Sequence, residues 1–128
     1  MLSEAPAHAT LPAADLARAR HFYEEVVGLV PARVTPGGVF YATGNGTQVF
    51  VFPSSGVASG THTQVGFRVP DIEAAVTELR ERGVAFEAYD FPGFDRKTSI
   101  ASFPANRSAW FRDTEGNLIG VVQMLEPA

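Results

Sequence analysis

Apolar and polar residues recur along this chain in two copies of one pattern. The first copy opens with His8-Ala9-Thr10-Leu11-Pro12-Ala13-Ala14-Asp15, and the second with Gln64-Val65-Gly66-Phe67-Arg68-Val69-Pro70-Asp71. In each, a short strand-like stretch reaches an aspartate and an amphipathic stretch follows. Asp15 and Asp71 are placed as helix N-caps, where a carboxylate accepts the free backbone N–H groups of the first turn. Leu16, Ala19, Phe22, Tyr23 and Val26 then fall at helical spacing over 15–27, and Ile72, Ala75, Val76 and Leu79 do so over 71–82. Gly28 and Gly83 stand where helices end.

Strand-like segments follow each helix: 29–34, 39–43 and 47–53 in the first copy, and 84–89, 108–112 and 117–124 in the second. Gly44-Asn45-Gly46 predicts a tight turn between paired strands, and Asp113-Thr114-Glu115-Gly116-Asn117 predicts its counterpart. The order is βαβββ twice, an α+β fold. One domain is expected over 1–128, with a first module over about 6–56 and a second over about 62–125. The stretch 90–107 is longer than its counterpart and carries Pro92, Gly93, Pro104 and Asn106. It reads as a loop over the site between the copies.

Composition narrows the function classes. The chain has 128 residues, 45% of them apolar and 19% charged, which suits a globular domain with its own core. With no cysteine, it has no disulfide scaffold, thiolate metal site or cysteine nucleophile. The net charge is −4 and no basic run exceeds Arg96-Lys97, so neither nucleic acid nor an anionic membrane is an expected partner. Apolar runs are strand-length, far short of the roughly 20 residues of a membrane span. The stretch Met1-Leu2-Ser3-Glu4-Ala5-Pro6 lacks a basic region followed by an apolar one, so a cytoplasmic protein is expected.

Several stretches carry a family resemblance. They are the two strand-to-aspartate segments, His21-Phe22-Tyr23 with Gly28-Leu29, and Trp110-Phe111-Arg112-Asp113-Thr114-Glu115-Gly116-Asn117. The last is similar to an F-x-D-P-D-G-N turn, with Thr114 where proline is common. Together they resemble the vicinal oxygen chelate superfamily of glyoxalase I, extradiol dioxygenases, fosfomycin-resistance enzymes and bleomycin-resistance proteins. The resemblance implies the glyoxalase/bleomycin-resistance fold, two βαβββ modules with curved sheets enclosing a cavity, and a homodimer. It is nearly silent on activity, because a fold does not fix a function.

The resemblance also implies four metal-ligand positions, on the first and last strand of each module. They fall here on His8, Phe50, Gln64 and Gly120. Phenylalanine and glycine offer no ligating side chain, and two neutral donors without a carboxylate make a poor divalent site. No cofactor is therefore expected. If a divalent metal binds at all, His8 and Gln64 would hold it, with Asp90 or Asp95 recruited from the long loop.

Strand alternation points His8, Thr10, Pro12, Gln48, Phe50, Phe52, Gln64, Gly66, Arg68, Leu118, Gly120, Val122 and Met124 to one face. It points Leu11, Val65, Phe67, Val69, Ile119 and Val121 to the other. The second set is uniformly apolar, as a core face should be. The first describes a small-molecule site of aromatic walls with a few polar groups. Phe50, Phe52 and Trp110, with Phe40 or Tyr41, supply flat surfaces, and His8, Gln64 and Arg68 supply hydrogen bonds. Gly66 and Gly120 either leave room for a ligand or are ordinary strand glycines.

Two readings follow. In one, the protein binds an aromatic or amphipathic small molecule without metal. In the other, it is a lyase, isomerase or dioxygenase-like enzyme in which His8 is the acid/base or a metal ligand. His21 reads as structural or exposed, His62 as part of a linker, and Asp113 and Asn117 as turn-stabilising.

Overall fold

A computed structural model describes residues 1–125; the domain expected to end at 128 has its last residues, 126–128, outside the described ones. Strand β1 (Ala9–Ala13) leads to helix α1 (Leu16–His21), which continues as a π-helical segment over Phe22–Val27. Strands β2 (Val30–Thr35), β3 (Gly38–Ala42) and β4 (Gln48–Pro53) follow. The second half repeats the order with β5 (Thr63–Arg68) and α2 (Ile72–Glu81). It ends in β6 (Phe94–Asp95), β7 (Ile100–Ser102), β8 (Asn106–Arg112) and β9 (Leu118–Met124).

Local chemistry explains the helices. Asp15 accepts from the Arg18 N–H at 3.1 Å, and Asp71 accepts from the Ala74 N–H at 3.2 Å, each filling a donor that a helix start leaves free. Gly28 turns the chain out of the π segment at φ 89°, a conformation that side-chain-bearing residues rarely adopt. Among the described residues, no helix is long and apolar enough to cross a membrane.

The strands form two mixed sheets, ordered β1-β4-β3-β2 and β5-β9-β8-β7-β6. In each, the first strand runs parallel to the last, and the other pairs are antiparallel. The expectation of curved sheets enclosing a cavity is corrected here. Both sheets are open, neither is curled or closed on itself, and no strand of one pairs with a strand of the other. The edge strands β1 and β5 lie side by side without a ladder between them. Pro12 removes a donor from β1, and its carbonyl accepts instead from the Asn117 side chain at 3.0 Å.

The long segment also differs from expectation. Stretch 84–89 is not a ladder strand; its backbone meets β8 through one bridge, Phe86 to Phe111, and one bond from the Glu87 N–H to the Trp110 carbonyl at 2.7 Å. The loop expected over 90–107 contains β6 and β7, which extend the second sheet.

One core runs through both halves. Leu11, Tyr23, Val39, Tyr41 and Val51 from the first are buried together with Ile72, Val76, Phe111, Ile119 and Val121 from the second. Phe22 meets Phe111 across the divide, with ring centroids 6.1 Å apart.

The turn between β8 and β9 fastens the halves together. The Asp113 carboxylate, 7% exposed, accepts from the Glu115 and Asn117 N–H groups at 2.8 and 2.9 Å. It also accepts from the Tyr23 hydroxyl at 2.6 Å and the Asn117 side-chain amide at 2.7 Å. Burial, then the neighbouring Asp113 charge, pushes the Tyr23 hydroxyl pKa far up, so Tyr23 stays a donor. Glu115 reaches α1, accepting from the Asp15 N–H at 2.9 Å and from Arg18 Nε at 2.8 Å.

Two outcomes follow from this clasp. Tyr23→Phe leaves the buried carboxylate one donor short and costs about 1.5–3 kcal/mol, read as a Tm several degrees lower; an unchanged Tm contradicts the account. Hydrogen bonding from Arg18 is the main cause that holds the Glu115 pKa at about 2 rather than its ordinary 4.5. Because the folded value is depressed, the contribution is present above about pH 4.5 and is lost as pH falls through about 2. In denaturant titrations, the stability gap between wild type and Glu115→Gln therefore narrows on acidification across that window. It also narrows in high salt, since the Arg18 side chain is 53% exposed. A gap that is constant with pH contradicts the assignment.

Candidate functional site

The open face of the first sheet carries a strip of aromatic rings. Register puts Thr10, Phe50, Phe40 and Arg33 side by side across β1, β4, β3 and β2, so they share one face. The Phe40 and Phe50 rings stack with centroids 4.3 Å apart, and Phe52 lies nearly parallel to Phe50 at 5.8 Å. His8 stands edge-on to Phe40 and Phe50, at 5.4 and 6.0 Å. The Arg33 guanidinium lies over Phe40, 4.6 Å from its centroid. The three phenylalanines are half-buried, with the sheet beneath them. Of the two aromatics considered on β3, Phe40 joins this strip. Tyr41 is fully buried on the other face, its hydroxyl donating to Glu24 at 2.8 Å.

The second sheet carries an aromatic cup of about 450 Å³, walled by Trp110, Tyr89, Phe91, Phe103, Thr63 and His62. Trp110 donates from Nε1 to the Thr63 hydroxyl at 3.0 Å, which fixes the indole. Tyr89 meets the indole edge-on at 5.5 Å. Partial burial raises the Tyr89 hydroxyl pKa and keeps it protonated. A Cβ on Gly120 would sit 3.0 Å from the Thr63 methyl and 3.5 Å from Trp110 Nε1, so the room above Gly120 is filled by the cup's own wall.

A further cavity of about 550 Å³ lies where β1 and β4 meet β5. His8, Gln48, Asn45, Gly66 and Arg68 line it, over apolar surface from Val49 and Val65. A Cβ on Gly66 would meet nothing within 4 Å, so this glycine borders open space.

The structure therefore divides the expected residues among three places. Phe50 and Phe52 lie in the strip and Trp110 in the cup, with Gly120 beneath it. Arg68 lines the seam cavity, and His8 joins the strip to that cavity. Gln64 lines neither cavity. A bulge between Thr63 and Val65 takes it out of the strand alternation, and its Oε1 is buried without a hydrogen-bond partner. His62 lines the cup and bonds Ser59 through Nδ1 at 3.1 Å, whereas His21 is exposed.

Tyr89, Phe91, Phe103, Thr63 and Arg33 were not singled out from the sequence. For Tyr89, Phe91 and Phe103 the one signal was the run of aromatics in and beside a Pro- and Gly-containing stretch; Thr63 and Arg33 carried none.

The family's metal does not fit these side chains. Phe50 and Gly120 cannot ligate, and Gln64 is displaced by its bulge. Among the described residues, no three His, Cys, Asp or Glu side chains are grouped to hold an ion. The loop carboxylates are placed elsewhere. Asp95 accepts from the Lys97 and Thr98 N–H groups of its own turn at 2.8 and 3.4 Å, and Asp90 is solvent-exposed, 3.9 Å from Arg96. The His8 ring packs edge-on against Phe40 and Phe50, and among the described residues no carboxylate is hydrogen-bonded to it.

Comparisons with known proteins agree with this architecture. The chain belongs to the Glyoxalase/Bleomycin resistance protein/Dioxygenase superfamily, whose model matches residues 5–121. No curated protein matches the sequence. Among solved structures, it is similar to TnmS3, an antibiotic binding protein from Streptomyces sp. CB03234. That match has 26% identity, covers 97% of this chain and 98% of that one, and has a TM-score of 0.73. A glyoxalase/bleomycin resistance protein from the same organism is also 26% identical, covering 91% and 98% with a TM-score of 0.65. A glyoxalase/bleomycin resistance protein/dioxygenase from Alicyclobacillus acidocaldarius is 19% identical, covers 96% and 93% with a TM-score of 0.70, and shares the fold.

Proposed function

We propose that this protein binds a small, flat aromatic molecule without a metal ion and holds it between aromatic side chains. The carrying observation is the pair of open aromatic surfaces, the Phe40–Phe50–Phe52 strip and the Trp110–Tyr89 cup. Rings presented this way bury large area against a planar guest and favour offset stacking. Similarity to TnmS3, described as an antibiotic binding protein, supports the reading.

In this reading, His8, Phe50, Phe52, Arg68 and Trp110 contact the ligand. His8 serves as a wall and hydrogen-bonding group rather than as a base. The two halves are copies of one unit within a single domain, and the protein acts in the cytoplasm as a homodimer. In that dimer, the strip of one copy covers a ligand seated in the cup of its partner. The half-covered state of both surfaces in a single chain supports this pairing.

Trp110 is the sole tryptophan, so indole emission reports on the cup alone. Titration with a planar polycyclic probe such as anthraquinone is expected to quench that emission to saturation. Phe50→Ala, although outside the cup, is expected to weaken binding by roughly threefold to tenfold, and sedimentation to return twice the chain mass. Absence of quenching overturns the reading. Quenching that is indifferent to Phe50→Ala in a monomeric protein removes the shared site.

A further inference from the structure

The seam cavity has a chemistry that the aromatic surfaces lack. Among its lining residues, Arg68 and His8 are the titratable side chains, and no aspartate or glutamate borders it. This is unusual in a chain with 14 acidic side chains against 10 basic ones. Most of the other arginines are engaged; Arg82, which follows α2, is a second one without an ion pair or side-chain hydrogen bond among the described residues. Arg18, Arg20, Arg107 and Arg112 pair with Glu115, Glu24, Glu73 and Glu87. Arg80 donates to the Ser99 hydroxyl at 2.6 Å, and Arg33 lies on Phe40. Among the described residues, the Arg68 guanidinium makes neither an ion pair nor a hydrogen bond, and its side chain is exposed. The side-chain amides of Asn45 and Gln48 and the His8 ring are likewise without hydrogen-bond partners there. With Arg68 on its lining and no acidic side chain, the pocket favours an anionic guest over a cationic one, and a guanidinium matches the two oxygens of a carboxylate in shape and charge.

We infer that the seam cavity takes an acidic group, a carboxylate or a sulfonate, carried by the aromatic ligand. Arg68 is its counter-ion, and His8, Gln48 and Asn45 are further donors. His8 sets the geometry of the pairing, because the same ring lines this cavity and stands against Phe40 and Phe50. An aromatic body on the strip therefore projects a substituent past His8 toward Arg68. Gly66 leaves that space open. This inference rests on the aromatic-binding reading above and adds the ligand's charge to it.

The test compares naphthoate with its neutral counterpart naphthamide on the full chain by calorimetry. Wild type is expected to prefer naphthoate by about tenfold or more, with the preference declining in high salt. Arg68→Gln should bring the ratio close to one, and Arg68→Lys should retain part of it. Arg68 is exposed, so both variants are expected to fold, with Tm as the check. Equal binding of the two probes by wild type overturns the acid site and leaves the aromatic reading standing. Inorganic phosphate binding as tightly as naphthoate also overturns it, since the site would then take a free anion. If neither probe binds, the aromatic reading fails and the acid site that rests on it fails with it.

Discussion

The buried carboxylate of Asp113 is the constraint around which the two halves are arranged. A charge removed from water must be met by donors, because leaving it unpaired costs far more than any single contact returns. Four donors meet this one. Two are backbone groups of its own turn, one is the Asn117 amide, and one is the Tyr23 hydroxyl from the other half of the chain. Asn117 also holds the Pro12 carbonyl of β1, and Glu115 holds the start of α1. A single turn of the second half thus fixes both a strand and a helix of the first. The π-helical segment contributes by carrying Tyr23 toward Asp113 and Glu24 toward Tyr41.

This clasp works on the helix side of the sheets and leaves their other faces free. With β1 and β5 abutting but unpaired, the sheets stay open, and their aromatic residues face outward rather than into a closed chamber. The same strand positions that would carry a metal in this superfamily are spent otherwise. Phe50 stacks with Phe40 and Phe52, and Gly120 lets the Trp110 indole lie across β9 to reach Thr63. Coordination chemistry has given way to flat surfaces, and the polar remainder is gathered around Arg68 and His8.

Much of this was legible because it is encoded locally. The capping aspartates, the terminating glycines and the strand alternation each depend on a few neighbouring residues, and alternation correctly separates Leu11, Ile119 and Val121 from Thr10 and Phe50. What was missed depends on distance or on register. Asp113 and Tyr23 are 90 residues apart, so nothing near Asp113 in sequence announces a role beyond its turn. The bulge at Gln64 shifts a ligand-like residue out of line without altering the residue pattern. The 84–89 stretch has strand composition but makes one bridge to β8 in place of a ladder. The cup aromatics fall in a stretch where strand periodicity gives no guidance.

The central claim is that one aromatic guest is held by rings from both sheets with no metal between. Intermolecular NOEs between a bound planar probe and the protein's ring protons, recorded with a chelator present, test it most directly. The account predicts NOEs from one probe to Trp110 and to Phe40 or Phe50, unchanged when a divalent ion replaces the chelator. NOEs confined to other residues, or appearing only once the divalent ion is added, would contradict it.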